Sequence, residues 1–90
     1  MAEELTKEAL FLQLVLQNQQ MALMSMGKIK NPLTGGTDKN LEMAKITIDT
    51  LDMLSEKTKG NLSEYEEKFL SEVLRELKLH YVAETDKNKN

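Results

Sequence analysis

Three carboxylates, Asp49, Asp52 and Glu56, recur at i, i+3 and i+7, a spacing that sets them on one face of a helix where a hard cation with oxygen ligands could be held. No histidine accompanies them as in carboxylate-bridged metal bundles, and Lys45 and Lys59 share the face. A solvated charged face is the plainer reading, and no metal is assigned. His80 is the only histidine. It lies near the end of a helical stretch, where the helix dipole favours its protonated form, and spacing identifies no nucleophile for it to serve. A third group, Lys57, Thr58, Lys59, Gly60, Asn61 and Ser63, joins two lysines to the free amides of a helix N-terminus, an arrangement that can bind an anion. It lacks the Gly-x4-Gly-Lys-Ser/Thr spacing of a phosphate loop. Capping alone accounts for Gly60 and Ser63, but it does not require Lys57, Thr58, Lys59 or Asn61. These six positions are therefore the candidate site for an anion or a partner, and either they or the carboxylate face would serve the alternative function, a metal- or anion-dependent small-molecule-binding protein or enzyme. No catalytic residue and no cofactor is assigned.

The elements that must carry these groups are helical. From Leu41 to Thr58 the apolar residues fall into two adjoining stripes, Leu41, Ala44, Ile48 and Leu51 beside Met43, Thr47, Thr50 and Leu54, with Ile46 and Met53 further round. That apolar arc covers roughly 240°, against the ~100° of an ordinary surface helix, so this helix must pack on at least two sides and is expected at the centre. Lys57, Lys59 and Gly60 read as its end, with Gly60 as the left-handed C′ residue. Ser63 with Glu66 three residues on has the form of a capping box, which restarts the chain as a helix. A connector this short forces the two helices back into an antiparallel hairpin.

The run IDTLDMLSEKTKGNLSEYEEKFL, with the upstream GKIKNPLTGG and NLEMAK, resembles a small bacterial family of helical proteins catalogued only as a domain of unknown function. The segments ID-x-L-x-ML-x-EKTKGNL-x-x-x-E and NP-x-TG carry the likeness, which extends from Phe11 to Val82. The resemblance implies a helical fold and no activity, and it supplies no catalytic residues.

Ahead of the hairpin, residues 9–27 (ALFLQLVLQNQQMALMSMG) contain no charge. The length nearly spans a bilayer, but Gln13, Gln17, Asn18, Gln19 and Gln20 would each need a partner in lipid, so a water-soluble helix is expected and no membrane partner. Leu5, Ala9, Leu12, Leu16 and Leu23 form one face, Phe11, Val15, Ala22 and Met26 lie beside it, and Leu10, Leu14, Met21 and Met24 lie opposite. Three helices cannot cover all of these, so self-association as a dimer is expected, with Leu12, Val15, Leu16 and Leu23 at the interface. Met21, Met24 and Met26 read as core filling, with an adaptable groove for a partner helix as the other reading. A loop of roughly ten residues follows, punctuated by Asn31-Pro32 and Gly35-Gly36, with Ile29 and Leu33 as its apolar anchors against the bundle. Asp38 and Asn40 are both candidates to cap the second helix.

The third helix shows Phe69, Leu70, Val73, Leu74, Leu77 and Tyr81 on one face and charge elsewhere, the pattern of an outer helix. The expectation is an all-α protein of three helices over residues 6–26, 41–59 and 64–82, a single domain over 1–83 assembled as a homo-oligomeric bundle, and a polar, disordered tail over 84–90. A chain of 90 residues buries a modest fraction of its surface and is marginal alone. The absence of cysteine excludes disulfides and thiolate chemistry and fits a reducing cytoplasm. A formal charge of −3, with no dense Lys/Arg block and no Trp, excludes general nucleic-acid binding. The opening residues lack the cationic segment of a signal peptide, so export by that route is not expected.

Overall fold

Leu, Gln, Met and Ala fill the first helical stretch, all strong helix formers without Gly or Pro to interrupt them, and in the computed structural model, which describes residues 6–87, they form helix α1, Lys7–Ser25. Leu5, placed on the first helix from the sequence, lies outside the described residues. Thr6 caps α1 by accepting the amide of Ala9 at 3.0 Å. Its far end is a Schellman motif, in which Gly27, at φ +76°, donates to the Met24 carbonyl and Lys28 donates to that of Leu23.

Helix α2 spans Leu41–Lys57 and α3 spans Glu64–Lys87. Asn40, and not Asp38, caps α2, its side chain accepting the Met43 amide at 3.0 Å. The capping box at the start of α3 is complete: Ser63 accepts the Glu66 amide at 3.1 Å, and Glu66 accepts that of Ser63 at 2.7 Å. Gly60 lies one step beyond the expected C′ place. α2 closes on Thr58 as C-cap, and Gly60, at φ +86°, is the third residue of a turn in which Asn61 donates to the Thr58 carbonyl, the position that requires positive φ in a type II turn.

The three helices pack mutually. Val15, Ala22 and Met26 near α1, Ala44, Ile48 and Leu51 of α2, and Leu70, Val73, Leu74 and Leu77 of α3 form the buried core. Thr47 joins them at 5% exposure because its hydroxyl donates to the Met43 carbonyl one turn back. α2 packs on two sides, against α1 and α3, as its wide apolar arc requires, but α1 and α3 also touch each other, so α2 is not a central helix between them, and Met43, Ile46 and Met53 remain exposed. Ile29 and Leu33 do not anchor the loop, and Leu33 is 92% exposed. The loop is held by its own polar groups: Asn31 accepts the Leu33 amide on its side chain and the Thr34 and Gly35 amides on its carbonyl, and donates to Gly36. Asn40 ties the loop's far end to α1 by donating to the Ser25 carbonyl at 2.7 Å.

The third helix also runs five residues past its expected end at Val82, to Lys87. Residues 84–87 are thus helical and not a loose tail, and residues 88–90 lie outside the described residues.

Candidate functional site

The reason α3 continues is Glu84. Two turns beyond Leu77 on the same stripe, it carries its carboxylate into the bundle end with only 2% of the side chain exposed. Lys28, just after α1, donates to Oε2 at 2.7 Å, and Lys87 donates to the same oxygen at 3.2 Å. Lys39, just before α2, places its ammonium 2.7 Å from Oε1, at ion-pair distance but outside hydrogen-bond geometry. The ammonium groups of Lys28, Lys39 and Lys87 hold the Glu84 carboxyl at a pKa of about 2 against the effect of burial. Both ends of the α1–α2 loop are thereby fastened to the last turns of α3. Composition and local pattern assign Glu84 to a polar tail. The one sequence signal for its burial is its place seven residues after Leu77, in phase with the core stripe.

The candidate corner is built largely as expected and already holds its own anions. Ser63, besides capping α3, donates its hydroxyl to Glu8 of α1 at 3.3 Å, and Glu64, Glu66 and Glu67 occupy the first turn of α3. An incoming anion would therefore meet carboxylates at the amides that would attract it. The Thr58 hydroxyl is engaged with the Leu54 carbonyl at 2.7 Å. Lys57, Lys59 and Asn61 are exposed.

The acidic face is likewise in use. Lys45 pairs with Asp49 at 2.8 Å, and Lys78 of α3 pairs with Asp52 at 3.2 Å. The bond that Lys45 donates to Asp49 raises the pKa of Lys45. Among the described residues no group of three or more His, Cys, Asp or Glu is placed to hold a metal ion. His80 is exposed on α3.

The four expected interface residues divide. Val15 is wholly buried in the protomer and is not available to a partner, a correction that follows from its place at the centre of the α1 core stripe. Leu12 and Leu23 are half-buried, and Leu16 remains 43% exposed. Of the methionines, Met26 fills the core as expected, whereas Met21 stays 46% exposed and Met24 half-buried. With Met43 of α2 and Asn31, Pro32 and Leu33 of the loop, these two line an open cleft of about 330 Å³. Among the described residues no helix is long and apolar enough to cross a membrane.

A family model described as a domain of unknown function (DUF1844) matches residues 8–84. None of the curated proteins and none of the solved structures matches the chain. The chain belongs to the DUF1844 family, and the matched span reaches to Glu84.

Proposed function

For this member of a family whose description carries no activity, we propose a non-enzymatic interaction or scaffold role in the cytoplasm, exercised as a homo-oligomer and most simply as a two-fold dimer. The observation that carries the reading is α1. It has no charged residue from Ala9 onward, yet Leu10, Leu14, Leu16 and Met21 stay 43–51% exposed around it. Soluble monomers seldom leave so much uncharged surface uncovered, and closed two-fold association covers it without any second component. A chain without cysteine is suited to a reducing compartment. Light scattering across a wide concentration range tests the reading. The expected mass is twice the 10.3 kDa of the chain, and a concentration-independent mass near 10.3 kDa overturns it.

A further inference from the structure

Of the twelve large apolar side chains exposed among the described residues, six gather where α1 and α2 lie side by side. On a wheel at 100° per residue, Leu10, Leu14 and Met21 fall within about 40° of one another on α1, and Met43, Ile46, Thr50 and Met53 within about 80° on α2. The cleft that Met21 and Met24 share with Met43 shows that these two flanks adjoin. The charged flank of α2 turns the other way, toward α3, as the Asp52–Lys78 pair records. The six large side chains of this face are 41–56% exposed. Together they make an apolar face on the scale of the largest patch that a typical monomer carries, roughly 300–600 Å² and often functional.

The strip along α2 also has a symmetry of its own. Glu42, Ile46, Met53 and Lys57 share one line of the helix, at positions equidistant in pairs from a mid-point between Asp49 and Thr50. Among the described residues neither Glu42 nor Lys57 has an ion-pair partner within the protomer. Laid antiparallel on a second α2 about that mid-point, the strip sets Ile46 against Met53 of the second copy and Glu42 against Lys57 of the second copy, twice over. The Asn40–Ser25 bond sets α1 level with α2 so that the mid-point of Leu10 and Met21 lies at about the same height, and the same axis would bring Leu10 of α1 against Met21 of the second copy.

We infer that the α1/α2 face docks a second copy of this chain, antiparallel, with α2 on α2 and the Glu42–Lys57 pair formed at each end. The occupant is a second copy because a closed two-fold interface must match itself, and both the apolar and the charged positions of this strip do. It rests on the self-association reading above, and locates and orients that contact on a different flank of α1 from Leu16.

The test uses the full chain and sedimentation equilibrium on Glu42→Lys, Lys57→Glu, the double charge swap and Ile46→Glu, with Leu16→Glu as the control on the other flank. Glu42, Ile46 and Lys57 are exposed, so circular dichroism should show every variant as helical as the wild type. Each single charge reversal should weaken the dimer on the order of tenfold or more, since it sets like charges together at both ends, while the double swap restores it. Ile46→Glu should abolish it. A wild-type dimer that all four variants leave intact overturns this inference but not self-association itself, and dissociation by Leu16→Glu alone would then place the contact on the opposite flank. A wild type that is monomeric at every concentration overturns both.

Discussion

A carboxylate held at a pKa of about 2 by Lys28, Lys39 and Lys87, against an ordinary value of 4.5, binds its proton less readily in the folded chain than in the unfolded one. The contribution of Glu84 to stability is therefore fully present above pH 4.5 and is lost as the pH falls toward 2. Thermal melts of the wild type and of Glu84→Gln should show the variant melting lower near neutrality, and the gap between them should close across that acid window. A gap that persists unchanged at the acid end would mean that Glu84 acts by shape and not by charge. The two glycines at helix ends make a second contrast at this scale. Both Gly27 and Gly60 have positive φ, but a Cβ on Gly60 would meet nothing within 4 Å, whereas one on Gly27 would lie 3.0 Å from Lys39 Cγ. Gly60→Ala should cost about 1 kcal/mol from backbone conformation alone. Gly27→Ala should cost more, because the Lys39 stem cannot swing clear while its ammonium stays on Glu84. Chemical denaturation of the pair checks the order.

At the scale of elements, each helix start is secured locally, by Thr6, Asn40 and Ser63 acting on amides three residues ahead. Ser63→Ala should lower stability by about 1 kcal/mol through loss of the capping box. The α1–α2 loop differs, since its closure runs through Asn31 and not through apolar contact. Leu33→Ser should therefore change stability by less than about 0.5 kcal/mol, as substitution of an exposed residue generally does. Measured side by side in urea, the two variants separate a polar hinge that stabilises the fold from an exposed leucine that does not.

As a whole molecule, the protomer is a slab of 47 × 33 × 16 Å with a radius of gyration of 14.6 Å, larger than the roughly 12 Å of a compact chain of this length. A thin slab buries a small share of its apolar area. The proposed stacking of two copies through α1 and α2 would thicken the core and so couple folding to association. The melting temperature should consequently rise with protein concentration, as it does whenever association favours the native state. A melting temperature that is the same over a hundredfold dilution would separate folding from association.

Helix number, the helix starts, the ends of α1 and α2, the capping box and the core stripe of α3 were legible in the sequence because each is a local event, set by periodicity and by contacts three or four residues apart. Even the near miss at Gly60 is one of register and not of kind. The tertiary structure alone decided which apolar residues are covered. On an arc as wide as that of α2 a helical wheel cannot choose between Leu51, which is buried, and Ile46, which is 56% exposed, because the choice is made by where α1 and α3 lie. It likewise turned Val15 inward and left Leu33 outside. Glu84 is the sharpest case. Its partners Lys28 and Lys39 stand 56 and 45 positions away in the chain, so a residue that reads as polar tail became the most deeply buried charge among the described residues only when folding brought three ammonium groups to it.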